Sequence, residues 1–128
     1  MSYAQNNSVI GKWNVISSQT GTEIGVVEIY QHQGELQGKV IAIHNPKDQN
    51  RSCKNCIGTD KNQPLVGLTI LRGLKKKGSE YSGGTILDPK YGKYYSCYIT
   101  LENDNKLKVR GYLGISLFGK THYWHRVK

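Results

Sequence analysis

What this sequence lacks narrows its function before any motif is read. No stretch approaches the roughly 20 consecutive apolar residues of a membrane-spanning helix, so no membrane span is expected. No segment carries the 3.6-residue periodicity of a long amphipathic helix. The opening Ser2-Tyr3-Ala4-Gln5-Asn6-Asn7 has neither the charged lead nor the apolar run of a secretory signal. Acidic residues are few, nine against eighteen Lys and Arg, and none form an obvious facing carboxylate pair for acid–base work. Cysteine is limited to three, with no second Cys/His pair spaced to complete a four-ligand zinc site.

What is present favours β structure. A chain of 128 residues is one domain and long enough to bury a substantial core. Fifteen glycines supply turns and bends, and nine of the twelve aromatic residues are tyrosine, suited to half-buried strands with one wet end. The net charge of +9 is scattered, apart from Lys75-Lys76-Lys77 and the segment bearing Lys47, Arg51, Lys54 and Lys61. No nucleic-acid-binding signature accompanies it, so nucleic acid is not an expected partner and the charge reads as a solvated surface.

Alternation of period two runs through most of the chain. Strands are expected over 11–18, 25–32, 35–44, 81–87, 94–101, 106–113 and about 116–127. Tight turns fall at Gln19-Thr20-Gly21-Thr22, Gln33-Gly34, Asp88-Pro89-Lys90-Tyr91-Gly92, Asn103-Asp104-Asn105 and the Lys75-Lys76-Lys77-Gly78 run. In the third of these Asp caps, Pro presets φ and Gly takes the left-handed position. Leu36, Gly38, Val40 and Ala42 share one face, and their small side chains leave volume inside a barrel. Residues 64–74 alternate as a strand but also recur at helical spacing; a short helical turn feeding a strand is expected there. Residues 45–63 are the longest irregular stretch, of a length that is usually functional or pinned.

The chemical motifs are mostly decoys. Gly114-Ile115-Ser116-Leu117-Phe118-Gly119-Lys120-Thr121 fits the Walker A spacing, but too few residues remain for the helix whose N-terminus would hold phosphate. Ser116 is not in a nucleophile elbow. His122 and His125 lie three apart, which on a strand puts them on opposite faces; with His32 and His44 they read as surface or core residues. No metal, cofactor or catalytic residue is expected, and the protein is read as not an enzyme. Cys53-Lys54-Asn55-Cys56 precedes a turn rather than a helix, against redox use. A loop-tying disulfide between Cys53 and Cys56 in an oxidising compartment is preferred, with two reduced thiols the alternative and Cys97 left over.

The end signals, Gly11-Lys12-Trp13 and Trp124-His125-Arg126, suggest first and last strands that meet. Together with Tyr81-Ser82-Gly83-Gly84-Thr85-Ile86-Leu87-Asp88-Pro89 and the 107–126 tail, they resemble the bacterial domain-of-unknown-function 2147 family, whose members resemble lipocalins. Cys53-x-x-Cys56 followed by Gln63-Pro64-Leu65-Val66-Gly67 resembles one subset of it. Tyr81 stands where the family has tryptophan. The resemblance implies an exported, periplasmic or secreted protein with an all-β, antiparallel, up-and-down closed barrel and at most one short helix. It also implies that Trp13, after Gly11, packs at the closed end under Arg126, with Trp124 nearby.

Residues 1–10 are then a polar lead, the remnant of a removed signal or an expression start, and 11–128 one barrel domain. The leading functional expectation is a small apolar ligand, lipid or fatty-acid-like, lined by Val27, Ile29, Val40, Ala42, Cys97, Ile99 and Val109. A second reading makes the barrel a solid scaffold that docks a protein or envelope polymer on the 45–63 segment or the tyrosine-rich strand 94–98; a third, weaker reading is polyanion binding.

Overall fold

The computed structural model describes residues 8–114 and 119–128. Eight strands follow one another, each antiparallel to the next, and the last returns to the first as a closed barrel. They are β1 (Gly11–Ile16), β2 (Glu23–His32), β3 (Glu35–Ile43), β4 (Thr69–Lys77), β5 (Glu80–Asp88), β6 (Lys93–Asn103), β7 (Lys106–Tyr112) and β8 (Gly119–Arg126). No helix among the described residues is long and apolar enough to cross a membrane.

Local chemistry sets the hairpins. Gln33 and Gly34 both have positive φ, 53° and 81°, the mirror-image turn whose twist matches that of the flanking strands. At the β5–β6 turn the Gly92 amide donates to the Asp88 carbonyl at 2.8 Å, and the Lys90 amide to the Asp88 side chain at 3.0 Å. The two-residue turns at 33–34, 78–79 and 104–105 gather at one end, the floor. Residues 17–22, 44–68 and 89–92 gather at the other, the mouth.

Three expectations need correction. The helical turn placed in 64–74 is absent; helical geometry among the described residues is confined to two three-residue 3-10 turns, Pro46–Asp48 and Gly58–Asp60. In the first, Asn45 caps by accepting from the Lys47 amide. The Lys75-Lys76-Lys77 run ends β4 rather than forming the turn, which falls on 78–79. Ala42 does not continue the face of Leu36, Gly38 and Val40. A bulge between Val26 and Val27 pairs Val27 with Val40 but Val26 with Ala42, so Ile43, opposite Gly25, takes the inward register.

The core fills the floor half of the barrel. Trp13, Ile29, Leu36, Leu71, Leu74, Ile99, Leu107, Val109 and Trp124 are buried and packed as one cluster. Gly38 leaves no void: a Cβ there would come within 2.9 Å of Leu71 Cδ1, so leucine from the neighbouring strand occupies the space.

Candidate functional site

The closed end is built on an indole under a guanidinium. Trp13 pairs with Arg126 across β1 and β8, and the Arg126 Cζ lies 4.2 Å from the Trp13 ring centroid. The rest of the Arg126 fork tethers the chain ends: Nε donates to the Asp104 carbonyl at 2.6 Å, and the two terminal nitrogens to Ser8 and Ile10 carbonyls at 2.6 and 3.3 Å. The Trp13 indole N–H donates to the Val9 carbonyl at 2.9 Å. Val9 is itself buried, while Ser8 and Ile10 are exposed and contribute their carbonyls to Arg126. A Cβ on Gly11 would meet an Arg126 terminal nitrogen at 2.9 Å, which explains the glycine two residues before the tryptophan.

At the mouth end a space is bordered by β1, β2, β3, the segment from residue 44 to residue 70 and the turn at 89–90. A cavity of about 1080 Å³ lies at the mouth. Its apolar lining comes from Val15 on β1, Val27 on β2, Val40 on β3, and Leu65, Leu68 and Ile70 leading into β4. Its polar lining includes Glu23, His44, Asp48, Arg51, Lys54, Asn55 and Lys90. Of the expected lining residues, Val27 and Val40 border this cavity from the inward face, and Ala42 borders it from the bulged stretch of β3. Ile29, Cys97, Ile99 and Val109 do not; they are fully buried in the packed cluster beneath it. Even alternation along a strand marks which residues point inward, but not the depth at which packing ends and space begins.

A strap formed by residues 45–63 borders the mouth and is pinned at several points. Cys53 and Cys56 are joined as a disulfide and buried. Ser52 bridges to Pro64, and the Cys53 amide and carbonyl bond the Gln63 carbonyl and the Asn62 amide, both at 2.8 Å. Asp60, from the second 3-10 turn, receives both terminal nitrogens of Arg72 at 2.8 Å and the Tyr94 hydroxyl. Asp60 is 6% exposed, so the pair is desolvated on the carboxylate side. The Arg72 hydrogen bonds hold the Asp60 carboxyl below its usual range against the opposing effect of burial. Tyr94 is pushed up, first by burial and then by the adjacent carboxylate. A smaller cleft of about 310 Å³ beside this pair includes Asp60 and Arg72 in its lining, but their charges already satisfy each other.

This network escaped the sequence reading. One signal was available: Arg72 is a lone charge inside the apolar run 65–74, and a charge there needs a partner. Asp60, an acid within a basic segment, is that partner.

Cys97 lies on β6, and His122 and His125 lie on β8. Cys97 is buried without a disulfide, and burial pushes its thiol up to about 12. His122 pairs with Val109, on the inward face of β8; burial, then the charge of Lys120, lowers its pKa, with Asp88 opposing. His125 pairs with Asn14 and is exposed. Residues 115–118 of the Walker-like segment, Ser116 included, lie outside the described residues. Its last three, Gly119-Lys120-Thr121, open an antiparallel strand where a phosphate site would need a helix. Among the described residues no group of three or more His, Cys, Asp or Glu could hold a metal ion.

A family model described as "Uncharacterized protein conserved in bacteria (DUF2147)" matches residues 11–126. The chain belongs to the DUF2147 family. The match runs from the glycine beneath Arg126 to Arg126 itself, the whole ring of strands. No curated protein matches this DUF2147 chain. Its barrel is similar to a solved structure described as "Protein HP1028 from the human pathogen Helicobacter pylori belongs to the lipocalin family". The TM-score is 0.82 at 19% identity, covering 94% of this chain and 84% of that one. At that identity the likeness establishes a lipocalin-like fold.

Proposed function

We propose that this protein is a non-enzymatic, exported carrier that holds a small apolar or amphipathic ligand in the mouth half of its barrel. The observation that carries the reading is the division of the interior. The floor half is packed solid, while about 1080 Å³ remains beside Val15, Val27, Val40, Leu65, Leu68 and Ile70. Known ligand sites occupy roughly 300–1,000 Å³ and are lined mainly by apolar groups with a few polar ones. A structure selected only for stability would gain by filling such a space, since each lost contact costs packing energy.

Export is supported by the Cys53–Cys56 disulfide, a bond that persists in oxidising compartments. Fractionation of the native host, with the chain recovered outside the cytoplasm and its disulfide intact, tests this part.

The binding part is tested with N-phenyl-1-naphthylamine, a neutral apolar dye that brightens on leaving water. Saturable enhancement at one dye per chain is the expected result, abolished by Val40→Trp, which fills the cavity from its wall. Absence of enhancement in the folded wild-type protein overturns the reading. So does undiminished binding by a folded Val40→Trp variant.

A further inference from the structure

The charges at the mouth carry the ligand class further than cavity volume does. Three cations border the cavity: Arg51, Lys54 and Lys90. Arg51 is answered by Asp48, at 2.8 Å. Lys54 and Lys90 make no ion pair among the described residues. They arise from separate segments that the fold brings together. Asn55, next to Lys54, donates its side-chain N–H to the Lys90 carbonyl at 2.9 Å. Close approach of the β5–β6 turn to the strap is possible because residue 92 is glycine: a Cβ there would land on the Asn55 carbonyl. The Lys61 ammonium donates to the Lys54 carbonyl at 2.8 Å, fixing the same stretch of backbone from the other side.

Two ammonium groups are thereby mounted on joined segments at the rim of an apolar cavity. Two acids share the border of the cavity, and neither forms an ion pair with these lysines: Asp48 is paired with Arg51, and Glu23 lies at the start of β2, while the Asp88 side chain accepts from the Lys90 amide. Lys90 Nζ rests 5.3 Å from the Tyr91 ring, a contact that leaves its charge uncompensated. An anionic group at that rim gains charge-assisted contacts to ammonium groups that no carboxylate among the described residues pairs with. A hydrocarbon tail, in turn, has its place among Val15, Val27, Val40 and Leu68.

We infer that the cavity takes a single-chain amphiphile with an anionic head, the tail inward and the head at the mouth between Lys54 and Lys90. This rests on the carrier reading above, and the test separates the two. Displacement of N-phenyl-1-naphthylamine from the full chain at pH 8 is measured with dodecanoate, dodecyl phosphate, dodecan-1-ol and dodecyltrimethylammonium. The chain length is constant, so only the head varies. Both lysines are exposed, so the anions should compete about three- to tenfold better than the alcohol, and the quaternary ammonium worse than it. The preference should shrink in 0.5 M NaCl, where the screening length falls to roughly 4 Å.

In Lys54→Glu/Lys90→Glu the anions should fall to or below the alcohol. Lys54→Gln/Lys90→Gln provides the same readout should charge reversal disturb folding. Equal competition by alcohol and anions overturns the inference and leaves the carrier reading standing. An anion preference that survives both double variants also overturns it, since the head would then be held elsewhere. Failure of the dye itself to bind brings down the carrier reading and this inference with it.

Discussion

At the scale of single residues, Arg126 does more than any other side chain to hold the floor. Arg126→Ala removes donors from the Ser8, Ile10 and Asp104 carbonyls and uncovers the Trp13 face, at a cost of about 2–4 kcal/mol. Arg126→Lys keeps the charge but neither the fork nor the planar stack, and should recover no more than about half of that. Urea denaturation of the two variants checks both figures. Cys97 gives a pH-dependent prediction. Its folded pKa of about 12 lies above that of an unfolded thiol, so the unfolded chain loses the proton first as pH rises. The stabilisation it contributes is complete below the unfolded pKa, roughly 8.5, and declines as pH climbs from there towards the folded value. A Cys97→Ser variant should show a flatter loss of stability over that range. In the native wild-type protein the thiol should resist Ellman's reagent until the chain unfolds.

At the scale of elements, the strap is the part most open to perturbation, because it is fastened by a few named contacts. Asp60→Asn replaces a carboxylate in a bidentate pair with an amide that cannot serve both Arg72 nitrogens. Arg72 is 37% exposed at its side chain, so solvent softens the loss to about 1–2 kcal/mol. In the wild type, the depressed Asp60 pKa means this stabilisation is present above the unfolded value, near 4, and is lost as pH falls through the folded one. Gly92→Ala should act differently: the added methyl collides with the Asn55 carbonyl at a position of φ +67°, driving turn and strap apart. The expected outcome is an intact barrel by far-UV circular dichroism with dye binding weakened several-fold.

The strap also marks where sequence reading ran out. The hairpins at Gln33-Gly34 and Asp88–Gly92 were legible because their turn chemistry is local. So was closure of the ring, carried by Trp13 and Arg126. The depth of the cavity was not, because it depends on which long side chains from neighbouring strands fill the gaps. Gly38 looked like space until Leu71 was seen to occupy it. The bulge that turns Ala42 off the inward face was equally hidden, since an inserted residue leaves the hydrophobic pattern of either strand looking regular. The helical spacing of Leu68, Leu71 and Leu74 misled because β4 does not alternate evenly: its pairing with β3 shifts between Lys39–Thr69 and Gly38–Leu71, and again before Leu36–Leu74.

At the scale of the whole molecule, the division between a solid half and an open half predicts how affinity scales with ligand length. Each methylene buried in the cavity adds about 0.8 kcal/mol, or roughly fourfold, until the chain reaches the packed floor and the gain stops. Alkanoates of increasing length, compared by dye displacement, should therefore rise steeply and then reach a plateau. The ring that encloses the cavity is not equally fastened all round. Among the described residues β2 and β3 are joined over eight residue pairs and β7 and β8 over seven, whereas β3 and β4 share three and β1 and β8 two, Trp13 with Arg126 and Asn14 with His125. Both of those pairs sit near the floor. Towards the mouth the first and last strands thus face each other with little ladder between them, and the wall there can part sideways while the stacked ends below stay clasped. A bulky guest would gain room along that line, and hydrogen exchange on warming should begin there, before any other joint of the sheet loosens.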